Sequence, residues 1–323
     1  MDIERIEIEC QGDIHAVTFA NESQVVGGCD NGDILRWKIE DGHAQQQEPT
    51  LKASGLVASV AVSRDGRWMV SGDRGKMAIV WNMVTNEKVH ELDHGGWATE
   101  VDISSDCTKL VSADTCNARI FDINSGIRLL PPLRYEWVLG VKFSADGSRF
   151  ATSSETQGVR VYNTHDGNIL FDSGQYGSTG RWSKTTLAWS PDGQQLFLSP
   201  RGKLICFDLS KLSSSEWSIH ENQSPAHIAS NGRFIACAAG SLVSLWDCTS
   251  HKQISSIIVH TSQIICVALS PSGRYLACGN GRNITIHSLR GVLPPQYFDR
   301  GLPLIECYCR RRSRMLQVLA TTC

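Results

Sequence analysis

Nucleophiles and metal ligands are plentiful in this chain, with 12 cysteines, 10 histidines and 33 carboxylates among 323 residues. Chemistry needs them at set spacings. No G-x-S-x-G turn presents a serine, no H-E-x-x-H pairs two zinc ligands, and no G-x-x-x-x-G-K-[ST] loop cradles a phosphate. Gly72-Asp-Arg-Gly75-Lys76 is too short for that loop and is followed by Met77, where a hydroxyl would meet the metal. It also lies between two strand-like runs, so no helix N-terminus faces a bound anion. Gly279-Asn-Gly281 lacks a third glycine, and Asp30 to Asp33 lack the alternating oxygens and closing Glu of a calcium loop. The two glycine segments, at 72–76 and 279–281, read as hairpin turns. The cysteines contain no C-x-x-C pair, and Cys206, Cys237 and Cys266 fall inside apolar runs, where a thiol behaves as a small hydrophobe. Cys307-Tyr-Cys309 offers two ligands at most. The expectation is a protein with no catalytic residue, no metal site and no cofactor.

The elements that position the side chains form a repeat. A segment of the form apolar-x-apolar-S-x-x-G recurs as VAVSRDG (60–66), VKFSADG (141–147), LAWSPDG (187–193) and VALSPSG (267–273), with weaker versions at 17–23, 101–107 and 227–232. Each precedes a short β-rich run, a turn, and a second run ending in an aromatic residue or its substitute. Those endings are Trp37-Lys38, Trp81-Asn82, Phe121-Asp122, Tyr162-Asn163, Phe207-Asp208, Trp246-Asp247 and Ile286-His287, at intervals of 44, 40, 41, 45, 39 and 40 residues. So regular a series marks seven units. Within a unit the β-branched and aromatic runs, separated by turn clusters such as Asp146-Gly147 and Asp192-Gly193, read as four short strands. No apolar rhythm of 3.6 residues persists across the body, so the fold class is all-β.

On these residues the unit resembles the WD repeat (WD40) of β-propellers, over residues 1–290. The resemblance implies a seven-bladed β-propeller of four-stranded antiparallel blades. Residues 3–9, IERIEIE, precede the first inner strand, while the seventh unit ends near Leu289 without an outermost strand, so residues 3–9 are expected to complete the last blade and close the ring. Trp37, Trp81 and Trp246 stand at the signature place and are expected to be structural, buried between blades. Of the family's buried His–Ser–Asp–Trp network, the third unit keeps His94, Ser112 and Asp114 but has Phe121 for the Trp, and His260 keeps the first position in the seventh unit. Residues 291–323 depart from the repeat and form a basic tail, with five arginines against two carboxylates and a net charge of +3, leaving −5 on the body. A loosely ordered tail is expected, the alternative being a short helix at 312–320 docked on the ring.

The resemblance also implies one partner-binding face, made where inner strands begin and where the second and third strands join. Aligned on their apolar-x-apolar pairs, the units place Trp97, Trp137 and Trp182 at the start of three neighbouring inner strands, beside Arg134, Tyr135 and Arg181. The facing loops supply Arg74, Asp114, Glu155 and Arg201. Trp, Tyr and Arg dominate binding hot spots. The function implied is a non-enzymatic scaffold that binds a protein or peptide on this top face. The alternative is a propeller enzyme with a small-molecule pocket at the central channel, which requires converging His and carboxylates there. The negative body makes nucleic acid an unexpected partner. No apolar run approaches the ~18 residues of a membrane helix, and MDIERIEIEC lacks the features of a signal peptide. The expected protein is monomeric as a propeller and located in the cytoplasm, or in the nucleus.

Overall fold

The computed structural model describes residues 4–40, 42–178, 187–200, 202–219, 226–255 and 257–298. These residues form seven antiparallel sheets of four strands each, arranged as a ring of blades. Blades 1 to 6 run consecutively in sequence, from Ile14–Asn21, the inner strand of blade 1, to Ile258–Val259, the outer strand of blade 6. Blade 7 takes its three inner strands from Cys266–Leu269, Tyr275–Asn280 and Asn283–Ser288, and its outer strand from Arg5–Glu9. Arg5 to Glu9 pair in antiparallel register with His287 to Asn283. The two ends of the repeat region therefore meet in one sheet, and the outer edge of strand Asn283–Ser288 is paired. The fold is the seven-bladed propeller expected, with the closure expected.

Four of the inner hairpins are built by a Ser–Asp turn, which reads S-x-D-G in three of them. In VAVSRDG the Ser63 hydroxyl donates to Asp65 Oδ1 at 2.6 Å and accepts from Trp68 N at 2.9 Å, while Asp65 also accepts from Arg67 N. The Ser104–Asp106, Ser144–Asp146 and Ser190–Asp192 pairs repeat the arrangement. The turn requires a positive φ, which Gly66, Gly147 and Gly193 supply at +71, +70 and +65°. In the third unit Cys107 stands there instead, at +60°.

The core is seven separate slabs, one between each pair of neighbouring blades. Trp37, Trp81, Phe121, Tyr162, Phe207 and Trp246 each lie buried in a different slab. The seventh unit corrects the sequence reading by one residue. Leu110 pairs with Phe121 and Met69 with Trp81; in blade 7 the equivalent Leu276 pairs with His287. His287, not Ile286, therefore holds the signature place, and Ile286 points into the opposite slab, against blade 1. The reason is the period of two along a strand, which sends neighbours to opposite faces. The slab between blades 6 and 7 is completed by residues beyond the ring. Leu293 is buried there, and Tyr297, in the 3₁₀ turn Pro295–Tyr297, meets Phe234 edge-on with centroids 6.1 Å apart. The arginine cluster at 310–314 and the alternative helix at 312–320 lie outside the described residues. Among those residues, no helix is long and apolar enough to cross a membrane.

Candidate functional site

The top rim is shaped first by its backbone. In blades 2, 3 and 4 the pairing of the inner strand with its neighbour skips one residue near its start, between Val57 and Ser59, Ala98 and Glu100, and Val138 and Gly140. Such bulges bend a strand and re-aim the residues beside them. Trp97 and Trp137 immediately precede two of these strands and are 39% and 43% exposed.

Trp97 meets a cation from the adjacent blade. The Arg74 guanidinium, in the loop after strand Trp68–Asp73 of blade 2, lies 5.0 Å from the Trp97 ring centroid. Such a stack contributes about 0.5–1 kcal/mol at an exposed site. It fixes one face of the indole and leaves an aromatic edge beside a positive charge.

Trp137 is held differently. Its φ is +51°, in the left-handed region that bulky side chains avoid. Its amide donates to Thr115 O at 2.7 Å, and its carbonyl accepts from Glu155 N at 3.0 Å. Ser154 Oγ donates to the Glu136 carbonyl at 2.6 Å, and the Tyr135 amide donates to Cys116 O at 3.0 Å. Residues 135–137 are thus stitched between the loops of blades 3 and 4. Outliers of this kind cost of order 1–3 kcal/mol and persist where the surroundings over-determine them.

Two residues expected on the rim are inside. Tyr135 is 2% exposed; its hydroxyl donates to Gln157 O at 2.7 Å and the Arg160 guanidinium covers its ring at 4.3 Å. Burial pushes the phenol pKa up. Asp114 is 1% exposed, accepts from Cys116 N and Asn117 N at 2.7 and 2.8 Å, and pairs with Arg119. Both shape the loops and neither is open to a partner. The remainder stay outside: Arg74 and Arg134 are exposed and Glu155 is half-buried. Trp182, Arg181 and Arg201 lie outside the described residues.

His94 and Ser112 are buried and joined at 2.5 Å through Nε2 and Oγ. His94 Nδ1 bonds Leu92 O at 2.8 Å, and Arg119 Nη2 donates to His94 O at 3.1 Å. Blade 2 keeps the other half of the same network, Trp81 Nε1 donating to Ser71 Oγ at 2.9 Å, with buried Asp73 accepting from Ser54 N, next to Ala53, which takes the place of His94.

Sequence reasoning missed a groove of about 600 Å³ between blades 3 and 4, next to Trp137 and lined by Cys116, Asn117, Arg134, Glu136, Gln157 and Arg160 around the covered Tyr135. Its residues carry no motif; only the pairing of neighbouring loops brings them together. Around the axis, the Ser59 hydroxyl donates to Glu100 at 2.6 Å, and Asp102 accepts from Lys142 Nζ and Phe143 N at 2.6 and 2.8 Å. Each bond ties one blade to the next. Among the described residues, the groups spaced to hold a metal ion are His260, Cys278 and His287 in blade 7.

Two comparisons bear on this geometry. The model of the WD domain, G-beta repeat, matches residues 45–82 and 251–288. Those segments end on Trp81-Asn82 and His287-Ser288, in agreement with the strand register. The chain is also similar to human apoptotic protease-activating factor 1, with 28% identity over 202 residues that cover 56% of this chain. It spans about 15% of the length of that relative.

Proposed function

This chain belongs to the WD40-repeat β-propeller family, and on that premise we propose that it is a non-enzymatic scaffold binding a protein or peptide on its top rim, around Trp97 and Trp137. Propellers of this family generally mediate protein–protein interactions. The observation that carries the choice of face is Trp137, a large indole kept 43% exposed on a backbone held at φ +51°. A chain under selection for stability alone has no use for that combination, because glycine fits the conformation at lower cost. The stacked Trp97–Arg74 pair and the groove beside Trp137 supply rigid aromatic area bordered by charge, which suits a peptide or loop laid across blades 2 to 4. The inner-strand carboxylates support the same reading. Glu100 and Asp102 act as ties between blades, not as groups converging on a substrate.

The test compares the wild type with the Trp97→Ala/Trp137→Gly double variant in affinity capture from native lysate, with thermal melts alongside. Trp137→Gly removes the indole and relieves the backbone at once, so the variant is expected to melt within a few degrees of the wild type. Proteins captured by the wild type and lost from the variant support the top rim. Retention of the same proteins by an equally stable variant overturns it.

A further inference from the structure

The signature positions of blade 7 carry an unusual set of side chains. By strand register, Cys278 stands where Ser112 stands in blade 3 and His287 where Phe121 stands, while His260 takes the place of His94. In blade 3 the first and third of these positions make the hydrogen bond between His94 Nε2 and Ser112 Oγ. In blade 7 the same frame turns two imidazoles and a thiol toward one point. His260 Nε2 and His287 Nε2 are 3.1 Å apart, and one donor atom from each of His260, Cys278 and His287 lies within 4.8 Å of the others. Cys278 and His287 are buried and His260 is half-buried.

From this convergence we propose that blade 7 holds a structural zinc ion between His260, Cys278 and His287. Two imidazoles and a thiolate suit zinc, which takes nitrogen and sulfur ligands in tetrahedral array. At the ~2.0–2.1 Å bonds zinc makes to imidazole, a 3.1 Å separation subtends roughly 100° at the ion. The thiol needs to close by at most about 1 Å to reach the ~2.3 Å zinc–sulfur bond. The chemistry of the ligands fits. Burial, the neighbouring ring and Arg5 keep His287 far below the ordinary histidine range, at about 4, so its lone pair is available at neutral pH. Burial and Arg5 lower His260 likewise. Burial pushes Cys278 upward, so its sulfur is a thiol until the ion arrives. Binding is then an exchange in which the S–H bond breaks, the S–Zn bond forms and one proton leaves to solvent. Without an ion, the His287 ring has His260 as its polar contact and a buried Nδ1 with no hydrogen-bond partner. The nearby charge that opposes a cation is Arg5, strand partner of His287; it is exposed and paired with Glu7 at 3.2 Å, and the thiolate offsets it locally.

The placement gives the ion a task. Blade 7 is the one blade whose strands come from both ends of the ring, and the site joins the segment leading into that blade, at His260, to its second and third strands. An ion there clips the closing blade together.

Cobalt(II) serves as the spectroscopic probe in the full chain, after treatment with chelator and reductant. The expected result is uptake of one equivalent, a thiolate-to-cobalt charge-transfer band, release of about one proton per metal, and displacement of cobalt by one equivalent of zinc with a rise of several degrees in the melting midpoint. Cys278→Ser should abolish the band. Cys266→Ser, a buried cysteine on the opposite face of the same strand pair, should keep it. Should Cys278→Ser fail to fold, His260→Gln at the half-buried edge should lower cobalt affinity at least tenfold. Folded wild type that takes up no cobalt or zinc overturns the proposal, as does a band that survives in Cys278→Ser.

Discussion

His94 shows how a single position in this ring sets a pH response. It is buried against Ser112, and desolvation, outweighing the Leu92 carbonyl and the nearby carboxylates, lowers its pKa. The folded protein therefore keeps the imidazole neutral, whereas the unfolded chain protonates it near 6.5. Below that pH the unfolded state binds the extra proton, so stability falls as the solution is acidified from 6.5 toward the native value, and is fully present above 6.5. Each unit of displacement corresponds to about 1.4 kcal/mol. We expect urea midpoints to be flat from pH 8 to 7 and to drop between pH 6.5 and 5. The drop should be shallower in His94→Gln, which cannot protonate. An equal slope in both proteins would place the sensitivity elsewhere, His287, His260 and His251 being the other groups lowered by burial.

At the scale of one hairpin, the S-x-D-G turn explains both what the sequence made legible and one of its faults. Burial raises Asp65 and Asp106, but the hydroxyls of Ser63 and Ser104 and the following backbone amides outweigh it and hold both at about 2. That contribution is present above pH ~4 and fades as the pH falls toward 2. Because the same side chains make the same bonds in four blades, the repeat could be read directly from residues close in sequence. Cys107 fulfils the glycine role at φ +60°, a conformation that costs a side-chain-bearing residue roughly 1–2 kcal/mol. We expect Cys107→Gly to stabilise the protein by about 0.5–1 kcal/mol, the gain in the folded turn being reduced by the added freedom of the unfolded chain. A lower melting midpoint would show that the buried thiol contributes more by packing than the turn loses by strain. What stayed illegible depends on distant partners. Tyr135 looks like a rim aromatic until Gln157 and Arg160, from the next blade, close over it. Asp114 looks like a loop charge until Arg119 reaches back to it. The signature place in the seventh unit was misread by one residue, because neither Ile286 nor His287 is the aromatic that marks it elsewhere.

The whole molecule depends on a seam that no covalent link crosses. A stack of repeats in which each unit touches only its neighbours is stable as a sum of local terms, and closing it adds one more interface. Here that interface is made in three places. The strand Arg5–Glu9 pairs with Asn283–Ser288 and buries Ile8; Ile14 N donates to Gly281 O at 2.7 Å; and the Glu22 carboxylate accepts from Ser272 N and Oγ at 2.5 and 2.6 Å, 250 residues away in sequence. Deleting residues 1–10 strips an edge of blade 7 and removes Ile8, and should cost about 3 kcal/mol or more. At the ~2–4 °C per kcal/mol usual for large domains, that is a fall of at least 6 °C in melting midpoint. Glu22→Gln should cost about 1–2 kcal/mol by weakening two charge-assisted bonds. The two effects are not expected to add. If the seam opens as a unit, deletion already frees Glu22 from Ser272, and the substitution then changes little. The combined variant should therefore fall short of the sum by about 1 kcal/mol or more, against the ~0.3–0.5 kcal/mol within which independent sites add. Denaturant melts of the four proteins give that coupling directly. Strict additivity would mean that the strand and the Glu22 clasp hold blades 7 and 1 separately, and that the ring can lose either without parting.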